Sequence, residues 1–428
     1  MAFLLAAAPL RASAATAHMV HGGLDFPVAF RFAPDGRLFY LELTTGRVQV
    51  FDSPTGDQER TWADLNVDAD GERGLLGMAF HPQYPDSPYV YFYYTHKNPL
   101  ENRVIRMREV NGTGTGEQIL FRLPASDLHN GGRLAFGPDG MLYVTYGDQE
   151  VASAARVVTD VRGKIHRLTP LGAPAPNFYN PGNTAFVKGV REVFGICFDP
   201  AVPGRGYFTE NGPECDDEIN GLWQGADYGW GTNDPCGGDI PNVTKPLVRM
   251  SPTVAPTGCC VYRGGPDPGL DGSLFFGTFN QGDVRRVRFD PLTGEVASVT
   301  QVIPSGDAVL DVVQGPDGMI WYSTFDAIYR ITFEALDAPL PDATTRLRAW
   351  PNPSAREVSF RLAVPGDCVS LEVFDTNGRR IRALTVTDGL ARWDGRDASG
   401  MSVPPGVYLA RLREGNGVHT LRIVRLAD

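Results

Sequence analysis

The stretch Leu128-His129-Asn130-Gly131-Gly132-Arg133-Leu134-Ala135-Phe136-Gly137-Pro138-Asp139-Gly140-Met141-Leu142-Tyr143-Val144-Thr145-Tyr146-Gly147-Asp148 holds a strand, a turn and a second strand, with a histidine before them and an aspartate after. In Gly137-Pro138-Asp139-Gly140 the proline presets φ, the aspartate accepts a local backbone hydrogen bond, and the final glycine takes a positive φ. The unit therefore predicts a hairpin tip between two buried strands. Similar units sit at Phe32-Ala33-Pro34-Asp35-Gly36, Phe80-His81-Pro82, Phe198-Asp199-Pro200 and Val313-Gln314-Gly315-Pro316-Asp317-Gly318, with a weaker one between Tyr262 and Phe276. Phe32 and Val313 lie 281 residues apart across five intervals. The period is thus roughly 56, near the length of a four-stranded propeller blade with its loops, and six units predict a six-bladed β-propeller.

Composition agrees with an all-β chain. No apolar 3.6-residue periodicity reaches helix length, whereas Val, Ile, Phe, Tyr and Thr alternate in short runs bounded by Gly and Pro. The 49 Gly and 34 Pro coexist with 42% apolar residues, which fits a tightly turned sheet protein with a substantial core better than a disordered chain. A formal charge of -11 and a pI near 5.2 give no basic footprint for a phosphate backbone, so nucleic acid is excluded as a partner. Small neutral ligands and cations remain. No run reaches the ~18 apolar residues of a spanning helix.

Residues 1–17 carry a short apolar run and Ala-x-Ala sites, without a basic start. They read as an export signal, the other reading being a frayed terminus. The propeller is expected over 18–333 and a Pro-rich linker over 334–345. A second module, 346–428, follows. Its alternating segments Val358 to Leu362, Val369 to Phe374, Val407 to Leu412 and Thr420 to Val424, with turns at Asn377-Gly378 and Ser399-Gly400, predict an immunoglobulin-like β-sandwich of roughly 85 residues. Six cysteines allow 15 pairings. Cys215 and Cys236 bracket an acidic loop and are the first choice of pair. Cys259 and Cys260 either form a strained vicinal bond, stay reduced or take separate partners. Cys197 and Cys368 read as buried thiols, and no Cys/His spacing reads as zinc.

Residues 22–333 resemble the glucose/sorbosone dehydrogenase family. The matching strings are Glu72-Arg73-Gly74-Leu75-Leu76-Gly77-Met78-Ala79-Phe80-His81-Pro82, the His129 to Asp148 run, Thr209-Glu210-Asn211-Gly212-Pro213, Asp217-Glu218-Ile219-Asn220 and Ala226-Asp227-Tyr228-Gly229-Trp230. The resemblance implies a six-bladed propeller that oxidises the C1 hydroxyl of aldoses with pyrroloquinoline quinone (PQQ) and calcium, and an electron acceptor that the residues do not identify. Residues 350–428, with Trp350-Pro351-Asn352-Pro353, Trp393-Asp394-Gly395-Arg396-Asp397 and Pro405-Gly406-Val407-Tyr408, are similar to the immunoglobulin-like C-terminal domains of type IX secretion and to flagellar-hook-capping domains. That likeness implies export or attachment to the cell surface.

Sugar oxidation needs a base for the hydroxyl proton and an acceptor for the hydride, and no side chain accepts hydride. His129 suits the first task near neutral pH, and Asp148, at the far end of the hairpin, can return beside it and fix its tautomer. The resemblance gives these two residues those roles. The plainer readings are a loop histidine bonded to backbone and an aspartate capping a turn. The resemblance also assigns one calcium to the carbonyls of Gly212 and Pro213, and a structural calcium to Glu218 and Tyr228, in a loop crowded by Glu214, Asp216 and Asp217.

Departures from the family pattern fall on cofactor binding. PQQ is a tricarboxylate, so its site calls for several cations. Where PQQ-binding relatives place Arg-Asn, this chain has Arg191-Glu192, and Asn280, Ala308 and Leu310 stand at positions of a Lys and an Arg-x-Arg pair. Glu72 takes the place of a Gln that approaches the cofactor. Each lost charge-assisted hydrogen bond is worth roughly 1.5–3 kcal/mol, so three together weaken PQQ by several orders of magnitude. Arg263, Arg285 and Arg286 lie in the same blades, and strand parity lets only one of the last two point to a given face. Three functions follow: a PQQ- and calcium-dependent aldose dehydrogenase with a rearranged pocket, a PQQ-free calcium-stabilised propeller that binds surface carbohydrate or protein, and, with least support, a calcium-dependent hydrolase.

Overall fold

The computed structural model describes residues 15–176, 179, 182–231, 240–290, 293–333, 347–350, 354, 357–362, 369–375, 378–386, 390–414 and 417–425. The chain divides into two compact units between Glu334 and Ala335, and the linker expected at 334–345 lies outside the described residues.

The first unit is built from four-stranded antiparallel sheets, six of them among the described residues. Sheet one holds Pro27–Phe32, Leu38–Glu42, Arg47–Phe51 and Glu59–Asp64, and sheet two holds Leu75–Phe80, Tyr89–His96, Glu101–Val110 and Thr113–Leu123. Sheet three holds Leu134–Phe136, Leu142–Tyr146, Lys164–Leu168 and Ala185–Lys188, and sheet four holds Val193–Phe198, Gly206–Glu210, Asp217–Gly221 and Val248–Met250. Sheet five holds Pro256–Val261, Leu274–Thr278, Asp283–Phe289 and Val296–Pro304. Sheet six joins Asp311–Gln314, Ile320–Ser323 and Ala327–Phe333 to Ala15–Gly22, a strand from the other end of the chain. The first strands of successive sheets touch one another in order, and that of sheet six touches that of sheet one. The ring is closed, and the architecture is a β-propeller.

The export signal expected over 1–17 overlaps the closing strand. Ala15, Thr16 and Ala17 pair with Phe333, Thr332 and Ile331. A cut after Ala17 would strip three residues from the strand that closes the ring.

Hairpin tips between first and second strands have the anticipated chemistry. Gly36, Gly140 and Gly318 each donate a backbone hydrogen bond to the carbonyl three residues earlier, at 2.9 Å in all three turns, and have φ of 94°, 72° and 76°. The preceding Asp35, Asp139 and Asp317 accept from the amide two residues on, at 3.2, 3.0 and 3.1 Å. Second strands such as Leu38–Glu42 and Leu142–Tyr146 are buried at every position, as expected where neighbouring sheets cover both faces.

Where the first strands converge, Arg133 is almost fully buried. Its guanidinium donates to the carbonyls of Phe194 (3.0 Å), Leu76 (3.2 Å), Val28 (3.0 Å) and Leu310 (2.9 Å). These belong to the innermost segments of sheets four, two, one and six, so a single side chain of sheet three ties five sheets together. Asp311 lies 3.8 Å away. Burial pushes the Arg133 guanidinium down to about 10 despite the pull of Asp311.

The vicinal bond considered at Cys259-Cys260 is absent: both thiols are free, as is Cys197, whose Sγ lies 3.2 Å from that of Cys259. Cys215 is disulfide-bonded, while Cys236 and Cys368 lie outside the described residues.

In the second unit, Leu347–Trp350, Val358–Leu362 and Leu390–Trp393 form one sheet, and Arg380–Leu384, Val369–Asp375, Gly406–Glu414 and Gly417–Arg425 form another. Leu347, Phe360 and Trp393 of the first share a core with Val373, Tyr408 and Ile423 of the second. The last two strands run longer than their apolar alternation because the hairpin pairs through to Glu414 and Gly417. Among the described residues, no helix is long and apolar enough to cross a membrane.

Candidate active site

Antiparallel strands reverse direction at each turn. Loops entering the first strands and loops joining second to third strands therefore lie at one end of the ring. Glu72, His129, Arg191, Glu192, Ala308 and Leu310 occupy loops of the first kind, and Asp148, Gly212, Pro213 and Asn280 those of the second. Glu218 lies near the start of a third strand. The segment after Gly221 runs beside the end of sheet three, with a parallel bridge between Lys188 and Asp227, and this carries Tyr228 and Trp230 to the same rim.

His129 has a φ of 56°, a left-handed conformation that costs of order 1–3 kcal/mol for a non-glycine residue and persists only when neighbours enforce it. Two carboxylates do so. The His129 amide donates to Glu72 Oε2 at 2.6 Å, and the ring Nδ1 is 2.6 Å from Asp148 Oδ1. Asp148 is buried. Its Oδ2 accepts from the Trp230 indole at 2.6 Å, and Oδ1 also takes the Glu150 amide at 2.9 Å. Burial alone would raise the Asp148 carboxyl, but the bonds from His129 and Trp230 outweigh it and hold the group below its ordinary value.

An ionised carboxylate only accepts hydrogen bonds, so the proton in this contact sits on Nδ1 and the lone pair of neutral His129 is on Nε2. No hydrogen bond occupies Nε2 among the described residues. Such a pair can act chemically as a general base with its tautomer fixed.

Residues 24–330 match the family model described as Glucose / Sorbosone dehydrogenase. The chain belongs to this family. It is 27% identical over 406 residues to quinoprotein glucose dehydrogenase B of Acinetobacter calcoaceticus, covering 72% of this chain and 84% of that protein. It is 25% identical over 334 residues to the aldose sugar dehydrogenase YliI of Escherichia coli, covering 70% and 87%. The PQQ-bound aldose sugar dehydrogenase of Streptomyces coelicolor superposes with a TM-score of 0.67 at 26% identity, over 75% of this chain and 99% of that one. Residues 348–425 match the family model of the secretion system C-terminal sorting domain.

For a member of the glucose/sorbosone dehydrogenase family, the cofactor side of the rim is thinly charged. Arg191 is half-buried, and its Nη1 donates to the carbonyls of Asn211 (3.0 Å) and Gly212 (2.9 Å) with the guanidinium 5.6 Å from the Trp230 ring centroid. Asn280 is exposed, whereas Ala308 and Leu310 are buried. Arg263 is spent on Asp199 and Asp271, Arg285 on Asp283, and Arg286 on Ser273. None of the three is spare to replace a missing cation.

The four residues expected to hold two calcium ions, Gly212, Pro213, Glu218 and Tyr228, line one cleft with Arg191 and Glu210. Its volume of ≈ 30 Å³ admits an ion or a water or two, not an organic ring system. The Gly212 carbonyl is shared with Arg191, so a calcium ion and the guanidinium compete for that oxygen. Asp217, counted among the crowded acids of the loop, is occupied by the amides of Gly212, Val254 and Ala255. Among the described residues no group of three or more His, Cys, Asp or Glu side chains could hold a metal ion, so any cation here would depend on carbonyl oxygens. Glu210 is buried behind Arg191, and burial together with the nearby Glu218 carboxylate raises it well above the usual glutamate range.

Trp230 and Glu210 sit in strings already quoted for the family likeness, but nothing in the spacing tells that Trp230 reaches Asp148 across 82 residues.

Proposed function

We propose that the chain is a secreted PQQ- and calcium-dependent aldose dehydrogenase whose base is His129. Family membership supports sugar oxidation, and the His129–Asp148–Trp230 chain carries the assignment of the base. The six sheets read as six propeller blades, and the two-sheet second unit as an immunoglobulin-like sorting domain that directs export and attachment at the cell surface.

PQQ, when bound, supplies the two-electron acceptor. Arg191 would meet one of its carboxylates, and the carbonyls of Gly212 and Pro213, with Glu218 and Tyr228 beside them, are the oxygen set for calcium. His129 Nε2 takes the proton of the C1 hydroxyl. The Nδ1 proton stays on the Asp148 side, and the buried carboxylate stabilises the imidazolium as it forms. Trp230 keeps Asp148 ionised and oriented.

Reduction of an artificial dye by aldoses, in protein supplied with PQQ and calcium, tests this reading. Turnover is expected, and it is expected to disappear in His129→Ala. A second reading has a specific observation in its favour. With Asn280, Ala308 and Leu310 where cations were expected, and the Glu72 and Glu218 side chains on the rim, the propeller would bind surface carbohydrate or protein without PQQ. Absence of dye reduction with every aldose would favour it.

A further inference from the structure

Glu192 is a buried acid with half of its hydrogen-bonding capacity unused. Only 5% of it is exposed. Its Oε1 accepts from the Gly131 amide at 3.0 Å, while Oε2 is buried and has no hydrogen-bond partner. An ionised oxygen left alone in this way is costly, of the order of several kcal/mol.

What surrounds Oε2 tells how the cost is avoided. A methyl group placed on Gly147 would lie 2.2 Å from Glu192 Oε2 and 2.3 Å from the His129 carbonyl oxygen. The two oxygens therefore flank the same point, no further apart than those two distances together. Two anionic or lone-pair oxygens in that relation repel. A protonated carboxyl beside a carbonyl is instead a donor beside an acceptor. On the other side of the same residue, the His129 amide is held by Glu72 Oε2. One residue thus has an acid at each end of its backbone: its N–H needs an acceptor, and its C=O can use a donor.

We propose that Glu192 works as a neutral carboxylic acid that braces the carbonyl of His129 while the Glu72 carboxylate holds its amide, which makes Glu192 a positioning residue for the base. That function rests on the dehydrogenase reading, whereas the protonation of Glu192 does not. The charged and titratable neighbours are consistent with it. Burial raises Glu192 first, then the Glu72 and Asp148 charges, against the Gly131 bond and the attraction of Arg191. Tyr93 and Tyr146 also face it, and burial raises both. Their hydroxyls are committed to the carbonyls of Asn130 and Pro124, so neither supplies Oε2 with a donor. Glutamine is the neutral mimic, since its carbonyl can keep the Gly131 bond while its amide donates toward His129.

The test is an infrared comparison of the full-length protein and Glu192→Gln in calcium buffer near neutral pH, without PQQ. The wild type is expected to show the C=O stretch of a protonated carboxyl that Glu192→Gln lacks and that vanishes as pH is raised. Glu210, also raised by burial, can contribute a band common to both proteins, so the decisive feature is the difference: if no protonated-carboxyl component is lost on going to Glu192→Gln, the proposal is overturned. Unfolding provides a second readout. Because the folded-state value lies above the ordinary 4.5, the wild type loses stability relative to Glu192→Gln as pH climbs from that value toward the folded one, and a gap independent of pH contradicts the assignment. For the positioning role, Glu192→Ala is expected to lower kcat about tenfold with KM little changed, and Glu192→Gln to recover most of that loss and flatten the alkaline decline of kcat. Equal loss in both variants refutes the brace. If no variant turns over, the dehydrogenase reading fails, and the infrared band still decides the protonation.

Discussion

Arg133 and Glu192 are buried ionisable side chains close to the same loop, and they are treated in opposite ways. Arg133, four residues after His129, lies at the axis and donates to four carbonyls from four other sheets. Glu192, at the rim, keeps one oxygen without a partner. A buried charge with four of its five N–H groups bonded holds a fold in one arrangement. A half-bonded buried acid next to a left-handed histidine is a feature that folding alone does not ask for. The axis is built for stability, and on the proposed function the rim trades some of it for a placed base.

The comparison breaks most visibly at the axis. Arg133→Met leaves four inward carbonyls and Asp311 without the guanidinium, and should cost about 3–5 kcal/mol of stability, seen as a large drop in the denaturant midpoint. A loss below about 1 kcal/mol would put the axis outside the stabilising core of the ring. At the rim the damage should fall on turnover. Asp148→Asn removes the negative charge and turns one accepting oxygen into an amide donor, so the His129 tautomer is no longer fixed, and kcat is expected to fall on the order of 10²-fold with the denaturant midpoint shifted far less than in Arg133→Met. Trp230→Phe deletes one bond to the same carboxylate, worth about 0.5–1.5 kcal/mol, so kcat should fall by roughly three- to tenfold. The smallest effect is on pH. Asp148 lies below its ordinary value in the folded state, so its contribution to stability is present above the unfolded-state pKa near 4 and is lost as pH falls through the folded value. The stability gap between wild type and Asp148→Asn should accordingly narrow in acid, which calorimetry across that range would measure.

Much of the scaffold was legible because it is local. The Pro-Asp-Gly tips at Asp35, Asp139 and Asp317 bond within their own turns, and their spacing along the chain counts the sheets. The His129–Asp148 contact was also readable, since both residues flank one hairpin and antiparallel pairing returns the second beside the first. Contacts across sheets were not. Arg133 has no periodic signature and finds its partners 57 to 177 residues away, and Trp230 arrives through a parallel bridge that no alternation announces. The calcium residues show a different limit. Gly212 and Pro213 contribute carbonyls, which carry no side-chain signal, and only the structure reveals that Arg191 takes one of those oxygens. Ala15 to Ala17 likewise carry two readings, since residues that look like a cleavage region also pair as strand.

The account stands on one claim above the others, that this rim holds PQQ although Arg191 is the one cation left at the expected positions. Titration of the calcium-loaded, full-length protein with PQQ, followed by quinone absorbance, tests it most directly. Saturable binding at micromolar PQQ, weakened in Arg191→Ala and unaffected in His129→Ala although that variant no longer oxidises aldoses, is the predicted result. No binding at high-micromolar PQQ, with calcium present, would contradict the dehydrogenase assignment and leave a propeller that binds some other ligand.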